Sequence, residues 1–239
     1  MYALIDGDGY CYRTAFACES QSESAACRYF DHLITTLLRL PGIGPERKGY
    51  LSGSGNFRDT IAVTAVYKGT RTREKPQHLA AIRKHAHEVW GFDLSHNEEA
   101  DDMISIEHTR RQYKSIIVSD DKDFLQLPGK HYLPGKDKFV TITPAQGLHA
   151  FYKQILTGDV ADNIIGLQGI GPVKSEKLLE GCYTAMDYYL ACVRAYNGDT
   201  ARVLENGRLL WLRRFPGELW TPPKLPGTAT WLCELKEMV

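Results

Sequence analysis

Acidic side chains stand at four places in this 239-residue sequence where a predicted strand ends or a predicted helix or turn begins. Eight carboxylates with few cations beside them would repel one another, and hard divalent ions bound through oxygen would relieve that repulsion. The pattern therefore indicates a site for Mg²⁺ or Mn²⁺. The alternative is that these acids are only helix caps and turn formers, which are common roles for aspartate. The set is Asp6, Glu99, Asp101, Asp102, Asp121, Asp123, Asp159 and Asp162.

The elements predicted around these acids would bring them together. Residues 2–5 and 115–118 are short apolar runs typical of buried parallel strands, and each ends just before acids of the set. In a parallel sheet the functional crevice lies at the carboxyl ends of the strands. A helix predicted to begin at Asn97 would aim the acids of its first turn at the same crevice. Asp159 and Asp162 share one face if their turn is helical.

The order of the predicted elements indicates an α/β fold. Strands alternate with helices over residues 1–143, which predicts a mostly parallel central sheet flanked by helices, and residues 144–239 form a helical C-terminal region. Further helices are predicted at 26–40, 77–90, 144–156, 172–179, 184–195 and 200–215, and further strands within 48–57 and at 131–133 and 139–142.

A glycine-rich segment at residues 166–174 lies between two predicted helices. Glycine allows backbone amides to approach a phosphate, and the start of the following helix adds a favourable dipole. The segment is no Walker A loop, because no Lys-Ser or Lys-Thr follows its last glycine. It matches a helix-hairpin-helix turn that would hold one DNA backbone, and the alternative is a tight connection between two helices. The residues assigned to DNA here are Gly169, Ile170, Gly171 and Lys174.

The strongest basic run lies at residues 67–75, with four cations against one acid. A solvated loop is the plain interpretation of such a run. The functional interpretation is a phosphate clamp, in which Lys68, Arg71 and Arg73 face the DNA backbone and Tyr67 stacks on a base.

Composition excludes several classes of protein. Lys and Arg number 29, Asp and Glu number 29, and 43% of residues are hydrophobic, which argues against a disordered chain. No run of eighteen apolar residues occurs, so a membrane-spanning helix is excluded, and no signal peptide is visible at the N-terminus. The six cysteines form no C-x-x-C pair, so we expect reduced core thiols in a cytoplasmic protein.

Taken together, these segments resemble the 5′→3′ exonuclease/flap endonuclease family, which includes phage enzymes and the N-terminal domain of bacterial DNA polymerase I. The resemblance covers most of the chain, depends on the order and spacing of five motifs, and is greatest for the short phage members of T7 type. The motifs are Leu4-Ile5-Asp6-Gly7-Asp8, Tyr67-Lys68-Gly69-Thr70-Arg71, Glu99-Ala100-Asp101-Asp102, Asp121-Lys122-Asp123, and Gly158-Asp159-Val160-Ala161-Asp162-Asn163 with the glycine hairpin after it.

One position departs from the family pattern. The family places a second aspartate at the end of the strand before the Tyr-Lys motif, and here Ser52 or Gly53 stands there. One ion would then be held by fewer carboxylates, which predicts a Mg²⁺ requirement on the order of several millimolar. The alternative is that Asp8 or another nearby acid supplies the lost charge.

The resemblance implies a PIN-like, Rossmann-like fold with a helix-hairpin-helix motif, and hydrolysis of DNA phosphodiester bonds with two divalent ions. Asp6, Glu99, Asp101, Asp121 and Asp123 would form the inner cluster, and Asp102, Asp159 and Asp162 would hold the second ion. Lys68 and Arg71 would act on the scissile phosphate, Arg58 would join the DNA contacts, and K⁺ could bind at the hairpin.

Partners and alternatives follow from the same resemblance. The expected substrates are DNA with 5′ ends, nicks or flaps, and RNA–DNA hybrids are a further possibility. The protein would be a monomer that does not bind membranes. It would act in phage DNA replication or degradation. Two alternatives stay open at this stage: a DNA-binding protein of the same fold with weakened catalysis, and a PIN-type ribonuclease.

Overall fold

The computed structural model of the chain describes residues 1–72 and 74–224. Its strands are β1 (Ala3–Asp6), β2 (Arg47–Ser54), β3 (Asp93–His96), β4 (Ile116–Val118), β5 (Gly129–Leu133), β6 (Lys138–Ile142), β7 (Gly158–Asp159) and β8 (Ile164–Ile165). Its helices are α1 (Gly7–Ala17), α2 (Glu23–Leu37), α3 (Arg58–Ile61), α4 (Leu79–Glu88), α5 (Ala100–Arg110), α6 (Pro144–Thr157), α7 (Pro172–Leu178), α8 (Ala185–Ala195) and α9 (Thr200–Leu210), with a 3₁₀ helix at Lys122–Gln126.

A six-stranded sheet in the order β3-β2-β1-β4-β5-β6 forms the centre of the molecule. The neighbours from β3 to β5 run parallel, and only the edge strand β6 pairs antiparallel with β5. The predicted α/β fold with a mostly parallel sheet is therefore confirmed. Because β1 and β4 are adjacent and parallel, the acids that follow them lie at the same edge of the sheet.

Side chains of successive strand residues point to opposite faces of the sheet, and each face is covered by its own layer of helices. Ile5 and Val118 pack in one buried cluster with α1, α2 and α4, whereas Leu4 and Ile117 pack on the opposite face, where Ile104 of α5 covers them. Both faces of the central strands are buried, which explains why these strands are continuous apolar runs in the sequence.

The C-terminal helices form their own buried cluster around Tyr152, Ile155 and Val203. It is joined to the sheet layer by buried hydrogen bonds: the Gln126 side chain donates to the Leu210 carbonyl at 2.9 Å and accepts from the Leu212 amide at 3.0 Å. The proposed boundary at residues 143 and 144 falls at the cap of α6, and the division into two domains stays a proposal.

Several element predictions need correction. The helix predicted from Asn97 begins at Ala100, because Asn97 has a left-handed φ of 57° and Glu99 is the residue before the first turn. The helix predicted to reach residue 215 ends at Leu210, since the following backbone is extended and bonds to the sheet layer. The segment with Asp159 is no helix: the two-stranded hairpin β7-β8 holds it.

Strand β3 was not predicted from the sequence, because in Asp93–His96 the only apolar residue, Leu94, is exposed and the only buried residue is Ser95. Five of the six cysteines are free thiols in the described residues; Cys11, Cys18 and Cys192 are buried as expected, Cys27 and Cys182 are partly exposed, and Cys233 lies outside these residues. In the ranges 1–72 and 74–224, no helix has the length and hydrophobicity needed to cross a membrane.

Candidate active site

A cleft of about 790 Å³ opens at the carboxyl ends of β1, β2 and β4 and at the first turn of α5. Its wall contains both acidic and cationic side chains, so the cleft can hold metal ions and the phosphates of a nucleic acid together. The lining acids are Asp6, Asp8, Glu99, Asp101, Asp120 and Asp121, and the lining cations are Arg13, Lys68, Arg71, Lys75 and Arg83.

Asp6 and Asp121 are connected through one serine. Asp6 accepts from the Gly9 amide at 3.0 Å, as the cap of α1, and from the Ser119 hydroxyl at 2.7 Å. The same hydroxyl accepts from the Asp121 amide at 3.0 Å. Burial raises the pKa of both carboxyl groups, more than the hydrogen bonds lower it. The pair therefore favours a nearby positive charge.

The first turn of α5 brings Glu99 and Asp101 to the cleft. Glu99 pairs with the Lys68 ammonium and accepts from the Tyr67 hydroxyl at 2.8 Å. The pKa of Asp101 is raised well above its usual range, by burial first and then by the charges of Glu99 and Asp102. Burial and repulsion between neighbouring carboxylates therefore disfavour the ionised form of Asp101, and a bound cation would relieve both effects.

A second group of acids lies beside the cleft. Asp123 and Asp159 share the Lys122 ammonium, and Asp123 also accepts from the Gln154 amide. Burial, followed by the charge of Asp121, raises the pKa of Asp123 to about 6. Asp162 accepts from the Tyr67 hydroxyl at 2.7 Å and from Arg71 at 2.6 Å.

The donor chemistry fits hard divalent ions. The groups are carboxylates, and burial and mutual repulsion raise the pKa of Asp6, Asp101, Asp121 and Asp123. Among the described side chains no three acids, histidines or cysteines lie close enough to hold one ion. Lysine and arginine side chains instead neutralise several of these acids, so their ion pairs must open for ions to bind.

Two residues predicted to touch DNA are buried in the protein. Arg58 is 2% exposed, and it donates to both oxygens of Asp102, at 2.5 and 3.0 Å, and to the carbonyls of Leu209 and Trp211. Its predicted role as a DNA contact is corrected, because its donors are occupied inside the fold. Tyr67 is 6% exposed and its hydroxyl faces Glu99, so its ring is not free to stack on a base.

Asp102 also differs from its predicted role. Its side chain is fully buried, and it accepts from Arg58 and from the amides of Glu99 and Arg213. These contacts anchor the start of α5 to α3 and to the C-terminal segment. Asp102 therefore positions Glu99 and Asp101, and direct contact with an ion would require breaking this network.

The remaining predicted residues are exposed or partly exposed. Lys68 adopts a left-handed φ of 53°, and its amide donates to the Asp162 carbonyl at 2.8 Å, which fixes the basic segment beside β7.

In the glycine hairpin, Gly169 has a φ of 73°, and Gly171 precedes the first residue of α7. Lys174 is exposed on that helix. Arg73 lies outside the described residues.

Two residues of the cleft, Arg83 and Asp120, were missed by the sequence reasoning, and Asp8 was considered only as a substitute for the missing aspartate. Asp8 and Arg83 form an ion pair in the cleft wall, and Asp120 accepts from the Gly135 amide at 2.8 Å. The Asp-Gly-Asp turn was a signal for Asp8, and Asp120 directly precedes a predicted ligand. Arg83 had no such signal, because only the packing of α4 on α1 brings it to the cleft.

Comparisons with known proteins agree with this geometry. No protein-family model matches the chain. A 5′-3′ exonuclease of Mycoplasma pneumoniae is 31% identical over 209 aligned residues, covering 74% of this chain and 70% of that protein. A 5′-3′ exonuclease of Mycoplasma genitalium is 29% identical, covering 78% and 74%.

Solved structures share the fold at low sequence identity. The 5′-exonuclease of bacteriophage T5 with divalent zinc ions bound superposes with a TM-score of 0.70 at 14% identity, covering 88% of this chain and 89% of that one. The T5 flap endonuclease in a complex with DNA and metal ions gives 0.66 at 15% identity, covering 87% and 88%. With the family relatives and the fold in agreement, the chain belongs to the 5′-3′ exonuclease/flap endonuclease family.

Proposed function

We propose that this nuclease hydrolyses DNA phosphodiester bonds from 5′ ends and at 5′ flaps, with Mg²⁺ or Mn²⁺ as its cofactor. The observation that carries the proposal is the convergence of Asp6, Glu99, Asp101 and Asp121 on one cleft that also contains Lys68. Relatives named 5′-3′ exonuclease, and a matching fold found with DNA and metal ions, support it. They favour the nuclease over the two alternatives, a weakened binding protein and a PIN-type ribonuclease.

Two groups of acids would hold the two ions. The first group is Asp6, Glu99, Asp101 and Asp121, and the second is Asp123, Asp159 and Asp162. When bound, divalent ions in such a site lower the pKa of a water molecule and stabilise charge on the phosphate oxygens.

Lys68 and Arg71 would supply the protein's own positive charge to the scissile phosphate. Both now neutralise acids of the site, Lys68 at Glu99 and Arg71 at Asp162. Once the acids are neutralised by other cations, these side chains are free to turn toward a phosphate in the cleft. There Lys68 stabilises negative charge that develops in the transition state.

The glycine hairpin would grip the duplex away from the cleft. Gly169 takes a left-handed conformation, and Lys174 is exposed beside it, so the loop can place amides and one cation against a DNA backbone. We extend the proposal to a helix-hairpin-helix motif with K⁺ at its carbonyls, to RNA–DNA hybrids as further substrates, and to a monomer acting in the cytoplasm during phage DNA replication or degradation.

The experiment is a panel of 5′-labelled duplex, nicked and flapped DNA, incubated with Mg²⁺, Mn²⁺ or EDTA. We expect cleavage near the 5′ end with either ion and none with EDTA. Asp121→Asn should abolish it. Asp93→Asn, which changes a partly exposed acid paired with Lys48 at the start of β3, should cleave normally. Binding of every substrate without cleavage under all metal conditions would overturn the proposal.

A further inference from the structure

The second residue of the Asp-Gly-Asp turn lies against the strand end that lacks an acid. Asp8 accepts from the backbone amide of Ser52 at 2.8 Å with one carboxylate oxygen. Its other oxygen pairs with the Arg83 guanidinium. Both side chains line the cleft and are only partly buried, at 22% and 25% exposed. The carboxylate of Asp8 thus stands beside the backbone position where the family pattern has its second aspartate.

The residues at that strand end supply no carboxylate themselves. A Cβ on Gly53 would lie 2.0 Å from the Ser95 carbonyl oxygen, so this position is closed to any side chain. The Ser52 hydroxyl accepts from the Ala100 amide at 3.1 Å, at the start of α5. Ser52 therefore points its side chain at the acidic turn of α5, and is the position where an acid would reach the cluster.

Arg83 fixes Asp8 in this place. One nitrogen of its guanidinium pairs with Asp8 and another donates to the Ser52 carbonyl. Asp8 and Arg83 thereby bind both backbone polar groups of Ser52, one on the amide and one on the carbonyl. A carboxylate held at each oxygen by a different donor, one of them charged, is restrained more closely than one in a single exposed ion pair.

We propose that Asp8 supplies the missing carboxylate on the β2 side of the metal centre, positioned by the Ser52 backbone and by Arg83. The inference rests on the proposed function, because it concerns the ions of that site. Asp8 adds a carboxylate, held at both of its oxygens, to the cleft that Asp6 and Glu99 also line, and its pair with Arg83 must open for it to face an ion. The Asp8 carboxylate therefore increases the affinity of the DNA-free protein for divalent ions.

The test measures Mn²⁺ binding to the DNA-free protein by isothermal titration calorimetry. Asp8→Asn keeps an oxygen for the Ser52 amide and removes the charge, and we expect its Mn²⁺ dissociation constant to rise about tenfold or more. Asp8→Ser, measured alongside, should weaken binding similarly. Adding Ser52→Asp to Asp8→Asn should restore most of the affinity, because both side chains reach the same corner of the cleft.

The controls separate this inference from the proposed function. Asp93→Asn should bind Mn²⁺ like the wild type, and circular dichroism without metal should show the same fold for all variants. Unchanged affinity in Asp8→Asn, or a loss that Ser52→Asp does not restore, would overturn the inference. If the wild type itself binds no Mn²⁺, the proposed function fails, whatever the Asp8 variants do.

Discussion

At the scale of single residues, the acids of this cleft differ in what holds them. Asp123 is restrained by the Gln154 amide and shares Lys122 with Asp159, whereas Asp6 is restrained by a serine and a backbone amide. Each carboxylate thus has a fixed direction before any ion binds. Fixed ligands lose little conformational freedom on binding, which favours a defined metal geometry.

Replacing Asp123 should stop the chemistry without loosening the grip on DNA. In Asp123→Asn the side chain keeps its shape but loses the charge that a hard ion needs, so we expect cleavage to fall by about two orders of magnitude or more. Single-turnover cleavage at saturating Mg²⁺ and duplex affinity in Ca²⁺ are the two measurements. Cleavage within tenfold of wild type would contradict a ligand role, and Asp93→Asn is the matched control.

Lys68 should act mainly in the transition state. Its ammonium pairs with Glu99 at the cleft wall, close to where a scissile phosphate would lie. We expect Lys68→Ala to reduce the single-turnover rate about a hundredfold or more while the DNA dissociation constant changes much less. Lys84→Ala, which removes an exposed lysine from α4, should change neither. A weaker affinity with an unchanged rate would make Lys68 an ordinary backbone contact.

The types of residue and their spacing in the motifs were enough to predict the acids of the site. The roles of several neighbouring residues could not be predicted, because they depend on which side chains are buried. Nothing in the sequence near Arg58 distinguishes a cation that faces DNA from one enclosed by Asp102 and two carbonyls. Tyr67 is similar, since an aromatic residue beside lysine suggests stacking until its hydroxyl is found between two acids. Contacts between residues more than thirty positions apart decided both cases.

At the scale of elements, the first turn of α5 combines two neighbouring acids with opposite effects on stability. Asp102 is fully buried against Arg58, so Asp102→Asn leaves a buried guanidinium without its counter-charge. We expect it to lower the free energy of unfolding by about 3–5 kcal/mol. Asp101→Asn should raise the stability of the metal-free protein, because burial and like charges disfavour its ionised form. Urea unfolding in EDTA measures both, and equal effects would contradict the assignment.

Helix α5 is also fixed at its other end by a buried histidine. His108 lies with Nδ1 2.6 Å from the Ser115 hydroxyl, and Nε2 donates to the Pro128 carbonyl at 2.8 Å. Burial lowers its pKa to about 4, and the charges of His131 and Arg214 act in the same direction. The Tyr113 ring lies against it. The folded protein therefore holds this imidazole neutral.

This histidine predicts a loss of stability in acid. The pKa of His108 is lower in the folded state than in the unfolded state, so its neutral form contributes fully to the free energy of unfolding above about pH 6.5. That contribution is lost as the pH falls toward 4, and the loss is about 3 kcal/mol at pH 4. Urea unfolding between pH 4 and 7 should therefore show a shallower pH dependence for His108→Gln than for the wild type. His32→Gln, which removes an exposed histidine, should keep the wild-type slope. Parallel curves for wild type and His108→Gln would contradict the prediction.

Periodicity in the sequence predicted the elements that carry strong patterns and missed those that tertiary contacts define. The apolar runs of β1 and β4 and the amphipathic α4 lie within a few residues of their predicted bounds. Strand β3, whose Leu94 is exposed, forms because β2 pairs with it, and Asp159 lies in a hairpin rather than in the helical turn that its spacing from Asp162 left open. Neither has a periodic pattern that sequence alone could reveal.

At the scale of the whole molecule, the candidate site joins the sheet layer to the C-terminal region. Asp6, Glu99 and Asp121 belong to the sheet layer, whereas Asp159 and Asp162 belong to the hairpin that follows α6. Ion pairs of Lys122, Lys68 and Arg71 bridge the two sides. Ions bound to both sets of acids would replace these bridges with stronger ones.

Divalent ions should therefore stabilise the folded chain as a unit. A ligand that binds only the folded state at about one hundred times its dissociation constant adds about 2.7 kcal/mol, which for a chain of this length raises the melting temperature by about 5–10 °C. Scanning calorimetry with Mg²⁺ or Mn²⁺, against KCl of equal ionic strength, measures the shift. Asp121→Asn should reduce it, because the charge of Asp121 acts on Asp6 of the first group and on Asp123 of the second. An equal shift in KCl would mean that the acids respond only to ionic screening, which would contradict the proposed metal centre.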